Sequence, residues 1–99
     1  MARTFVRVEL VSSGNELEQR FSVAMNERGF VETIKGRTTH QALRLPHGLY
    51  LIEQKTAVQA LALTREAAQA ANVEARIFCV PAGHGVRFGN LAVHEAPPA

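Results

Sequence analysis

The sequence predicts an α+β domain, an antiparallel sheet with two helices on one face. Three observations carry this. Residues 4–11 alternate with period two, so Val6, Val8 and Leu10 face one side and Phe5, Arg7, Glu9 and Val11 the other, the mark of a strand with one face on a core. Two stretches, 15–28 and 57–71, carry helical character. Short apolar runs at 49–52 and 77–79 suit strands packed inside a sheet.

The elements follow in order. Ser12, Ser13, Gly14 and Asn15 stop the first strand, and Asn15 with Glu18 has capping-box spacing. Leu17, Phe21, Ala24 and Met25 then form one stripe, and Gly29 ends the helix where positive φ is needed. A second short strand is expected over 31–35. Residues 36–46 are polar and weakly periodic, a long connection able to continue as a hairpin. The third strand is expected over 48–53. Thr56 and Gln59 form a second capping box, and the Ala-rich run 57–71 is the strongest helix former in the chain. Its expected core face is Val58, Leu61, Ala62, Arg65 and Ala68, and Asn72 ends it. Residues 75–80 are the fourth strand, 81–85 a turn, and 86–93 a further strand interrupted by Gly89. The order βαββαβ plus an extra C-terminal strand is that of a ferredoxin-like sheet. One domain over 1–94 is expected, with a flexible tail at 95–99. The extra strand is expected to pair within its own sheet or in a homodimer.

Composition narrows the functions. The 99 residues are 46% hydrophobic and 20% charged, ordinary for a globular domain. No apolar stretch approaches the ~18 residues of a membrane span, and charges break the N-terminal apolar pairs, so neither membrane insertion nor a secretory leader is expected; the expected location is the cytoplasm. The single cysteine, Cys79, lies in an apolar run and reads as a buried structural thiol. The basic residues are nine Arg and two Lys, and every one of the nine acids is Glu. Arg favours bidentate phosphate contacts, but composition bias produces the same excess. A net charge of +2 does not by itself argue for nucleic acid.

Common catalytic signatures are absent. No glycine-rich phosphate loop follows a strand, no serine elbow is present, and His40, His47, His84 and His94 form no HxH or HxxxH pair. With one Cys and no Asp, neither a closed zinc site nor a Mg²⁺ site is expected, and no cofactor is implied. An RNA-recognition module shares the element order and needs aromatics on its central strands; Phe5 and Tyr50 are the candidates, but the usual run of glycines and aromatics is missing.

The opening Thr4-Phe-Val-Arg-Val-Glu-Leu10, the helix end Met25-Asn-Glu-Arg-Gly-Phe30, Thr33-Ile34, and Leu45-Pro46 before Gly48-Leu-Tyr50 together resemble the GhoS-like family, antitoxin endoribonucleases of type V toxin–antitoxin systems. The resemblance spans about residues 4–80. It implies a ferredoxin-like fold, frequent dimers and cleavage of single-stranded mRNA. That family is similar in fold to small CRISPR-associated nucleases, which hold a divalent metal on an Asp after strand one; here that neighbourhood reads Val8-Glu-Leu-Val-Ser12, with Glu9 alone.

Metal-free RNA cleavage uses the 2′-hydroxyl as nucleophile and needs a base, an acid and a cation for the phosphorane charge. The candidates are His40, His47 and Glu9 for proton transfer, and Phe5, Arg7 and Arg44 for binding single-stranded RNA. Duller readings stand beside them: His47 as a solvated turn residue, Arg7 and Glu9 as a surface pair, and Arg20 and Arg28 as the wet face of the first helix. A non-catalytic RNA- or protein-binding regulator on the same scaffold, prophage-derived, is the alternative function, and a purely structural dimer a third.

Overall fold

A computed structural model describes residues 2–12, 14–35, 41–83 and 91. Their elements are β1 (Arg3–Leu10), α1 (Asn15–Glu27), β2 (Thr33–Lys35), β3 (Ala42–Arg44), β4 (Leu49–Glu53), α2 (Ala57–Ala71) and β5 (Ala75–Pro81). The expected strand over 86–93 apart from Leu91, the tail over 95–99 and His40 lie outside the described residues.

β1 is the centre of a three-stranded antiparallel sheet ordered β4-β1-β5. β2 and β3 pair antiparallel, so residues 42–44 of the expected connection form a strand against β2. This pair meets the main sheet where Val31 and Leu51 exchange backbone hydrogen bonds of 2.9 and 2.8 Å. The architecture is therefore α+β, with two helices and five strands in antiparallel sheets among the described residues.

The alternation of β1 sorts its side chains as its period requires. Val6 and Val8 are buried on the helix side, in one core with Phe21, Ala24 and Met25 of α1, Tyr50 and Ile52 of β4, and Ala60, Ala67, Ala68 and Ala71 of α2. Thr4 shares that side, its hydroxyl donating to Lys55 O at 2.8 Å. Burying side chains such as Val6 and Phe30 stabilises the fold by about 1.5–3 kcal/mol each. A second, smaller core lies across the sheet, where Ile34, Leu45 and Leu51 are buried and Phe5, Leu43, Leu49 and Leu91 pack on them. This explains the nearly continuous apolar run of β4: Tyr50 and Ile52 serve one core and Leu51 the other.

The caps divide. Thr56 Oγ1 accepts from Gln59 N at 3.2 Å and Gln59 Oε1 accepts from Thr56 N at 2.9 Å, the reciprocal box expected for α2. Asn72 closes that helix in the left-handed region at φ 57°. Gly29, at φ 93°, follows the last turn of α1. The expected Asn15–Glu18 box does not form; Gly14 is the N-cap, no side chain caps the helix, and the Glu18 carboxylate faces His47 instead. The expected core face of α2 is also corrected. Val58 is 80% exposed, and the buried residues are Ala60, Thr64, Ala67, Ala68 and Ala71. Thr64 is tolerated there because its hydroxyl donates to Ala60 O at 2.8 Å. Small side chains let α2 lie close to α1 on one side and to β5 and β1 on the other.

Candidate functional site

β4 begins at Leu49, opposite Arg7, so the last residues of β1 run past it. In the gap lies a cleft of about 470 Å³ between the end of β1, the first turns of α1 and the turn entering β4. Arg7, Glu9, Glu18, Glu32, His47 and Tyr50 all reach it. Gly48 makes the corner possible. Its φ is +81°, and a Cβ there would collide with Arg7 Nη1 and stand 2.7 Å from Val8 O. That guanidinium donates instead to Val8 O at 2.9 Å.

Three of the residues expected from the sequence therefore meet at one place: Arg7, Glu9 and His47. Their partners differ from the expectation. Glu9 Oε1 accepts from Arg76 Nη1 at 2.8 Å, and His47 Nε2 lies 3.5 Å from Glu18 Oε1. Both pairs are solvent-facing and contribute at most about 1 kcal/mol each to stability. Arg44 does not join the cleft. It is exposed on β3 and shares a second depression with His47 on the other side of the turn. Phe5 is half-buried against the second core, so its ring is partly used in packing. His40 lies outside the described residues.

Tyr50, named from the sequence as a strand aromatic for stacking bases, faces the helices and is 5% exposed. Its ring is held edge-on by Phe21 and Phe30, at centroid distances of 6.0 and 6.4 Å. Burial, and then the Glu32 carboxylate, push its phenol up to about 12. Ser22 Oγ donates to Glu32 Oε2 at 3.2 Å beside it.

The sheet face away from the helices holds residues that sequence reasoning missed. In the β1–β5 register Glu9 stands opposite Arg76, Arg7 opposite Phe78, and Phe5 opposite Val80. Phe78 is 68% exposed and Val80 42% exposed. The run Ile77-Phe78-Cys79-Val80 is apolar on both parities, so alternation alone does not say which side faces water. Cys79 is on the half-buried parity, and burial pushes its thiol up, away from the reactive thiolate.

Among the described residues, no three His, Cys, Asp or Glu side chains converge as metal ligands, and no helix is long and apolar enough to cross a membrane. Comparison with family models, curated proteins and solved structures gave no match.

Proposed function

We infer that this chain is a ferredoxin-like, GhoS-like antitoxin endoribonuclease that binds single-stranded RNA and cuts it without a metal. One observation carries the reading: the open half of the sheet presents Phe78 to solvent, directly across from Arg7 and two residues along from Arg76. An exposed aromatic ring with arginines at neighbouring register positions on the same sheet face offers bases a stacking surface, with cations on that face for the phosphates between them. Arg3, which continues β1 on the same parity as Arg7, extends the track, although it lies 3.8 Å from Glu53.

The cleft corner adjoins this platform through Arg7 and supplies the chemistry. His47 takes the proton of the 2′-hydroxyl, and the 2′-oxygen bonds to phosphorus. The bond from phosphorus to the 5′-oxygen breaks, that oxygen takes a proton from solvent water, and the ends are a 2′,3′-cyclic phosphate and a 5′-hydroxyl. Arg7 carries the charge of the phosphorane, and Glu18 Oε1 stands 3.5 Å from His47 Nε2 beside it. The homodimer expected from the sequence belongs to the same proposal; light scattering that returns the monomer mass of 10.8 kDa overturns it.

A non-catalytic RNA-binding regulator is the second reading. The pairing of Glu9 with Arg76 favours it, because that pairing occupies one of the three proton-transfer candidates. Incubating the protein with a mixed RNA pool, with and without EDTA, separates them. Discrete cuts that persist in EDTA, carry cyclic-phosphate ends and vanish in His47→Ala support the nuclease. RNA retained without cuts leaves the regulator. Failure to retain any RNA overturns both.

A further inference from the structure

We propose that two copies of this chain join along the outer edge of β5, antiparallel about Ile77, into one continuous sheet; the proposal rests on the homodimer of the preceding reading and gives it an interface. The argument starts from the backbone of β5. At its two ends Glu74 O accepts from Val11 N at 3.0 Å, and Ala82 N donates to Arg3 O at 2.7 Å. Antiparallel pairs alternate between bonded and non-bonded positions, so Arg76, Phe78 and Val80 also turn their backbone groups toward β1. Ala75, Ile77, Cys79 and Pro81 turn theirs away. β5 is the end strand of its sheet, and no described residue pairs with that outer side.

This edge is long and apolar. Ile77-Phe78-Cys79-Val80 carries no charge, and Pro81 blocks only the far end. Such an edge templates a further strand unless something covers it. Beyond Gly83 the one described residue is Leu91. It packs on the second core with Ile34 and Leu51, and β1 separates Leu51 from β5.

A second copy fits the edge by register. A two-fold axis at Ile77 sets Ile77 opposite itself and Ala75 opposite Cys79 of the other copy. Every outward N–H and carbonyl of these residues then meets a partner. The ladder stops where donors run out on both sides: Pro81 has none, and the Val73 opposite it already donates to Ala68 O at 3.0 Å. An axis at Phe78 would instead set Ala75 opposite Pro81 and leave the Ala75 carbonyl without a donor. The side chains agree with the axis at Ile77. Arg76 comes to stand beside the exposed ring of Phe78 of the other copy, a cation against an aromatic face. On the helix side α2 packs on β5, and its charged residues are Arg65 and Glu66, of opposite sign, so two copies of the helix do not repel. The open faces of the two chains become one surface, with Arg76 and Phe78 of both at its middle.

Cys79 makes the register measurable. Residues opposite each other at bonded positions have Cα atoms about 5.5 Å apart, within the roughly 4.4–6.8 Å that a disulfide spans. Cys79 of one copy lies about 14 Å from Cys79 of the other in this register, too far to bridge. Light scattering of the wild type at micromolar concentration is expected to return twice the chain mass of 10.8 kDa. On mild oxidation Ala75→Cys is expected to become a covalent dimer, while the wild type and Ala75→Cys with Cys79→Ser stay single chains on a denaturing gel. In the wild type the amides of Ile77 and Cys79 are expected to be protected from hydrogen exchange in the dimer and to lose that protection on dilution, a readout that needs no variant. A dimer in which Ala75→Cys forms no cross-link, or in which those amides exchange freely, overturns this interface and leaves the homodimer standing. The mass of a single chain overturns both.

Discussion

Arg7 lies across the backbone of Gly48, its Nη1 donating to Val8 O at 2.9 Å in the space that a side chain on residue 48 would fill. The turn into β4, the end of β1 and the cleft corner are thereby fixed together. Because residue 48 also sits at φ +81°, alanine there meets both a steric and a backbone penalty. Gly48→Ala is expected to destabilise the fold by about 1–3 kcal/mol in urea denaturation. A change below about 0.5 kcal/mol would show that the corner gives way freely.

Tyr50 offers a clean titration. The folded phenol is pushed up to about 12, from an ordinary value of about 10, by burial first and by Glu32 second. The unfolded chain therefore releases this proton before the folded chain does. Its contribution is fully present below pH 10, is lost as pH rises through 10 to 12, and the loss approaches about 3 kcal/mol above that window. Absorbance at the tyrosinate band reports this one residue. Glu32→Gln should move the midpoint downward; an unchanged midpoint would mean that the carboxylate does not act on the phenol.

The open sheet face predicts a separation of binding from stability. Phe78 is 68% exposed, so Phe78→Ala should leave the unfolding midpoint nearly unchanged. If a base stacks on the ring, the same change weakens single-stranded RNA binding by about 1–3 kcal/mol, about 5–150-fold. RNA affinity that survives Phe78→Ala and Arg76→Ala together removes the platform from the proposal.

The rotation of α2 is tested by a pair of substitutions. Ala60 is fully buried and Val58 is 80% exposed. Ala60→Leu overfills the space between the helix and the sheet and should cost about 1–3 kcal/mol. Val58→Ala should stay within about 0.5 kcal/mol. The opposite ranking would restore the core face expected from the sequence.

Local chemistry in the sequence determined the strand parity of β1, the reciprocal cap of Thr56 and Gln59, and the stops at Gly29 and Asn72. Each of these depends on backbone preference or spacing within a few residues, which a sequence displays directly. The placing of Arg7, Glu9 and His47 at one corner was partly legible too, because strand parity and the pairing of β1 with β4 both pointed there. Tertiary structure alone decided the rest. An alanine-rich helix has nearly the same hydropathy on every side, so only its packing on α1, β1 and β5 settled which face is buried. Phe5 and Phe78 are equally apolar aromatics on strands, yet the β2–β3 pair folds over the half of the sheet that holds Phe5 and leaves Phe78 in water. Ser22, Glu32 and Tyr50 come from α1, the segment before β2 and β4, and meet only because long-range strand pairing brings those segments together. No periodicity within a segment records such a meeting, since it depends on the register between segments distant in the chain.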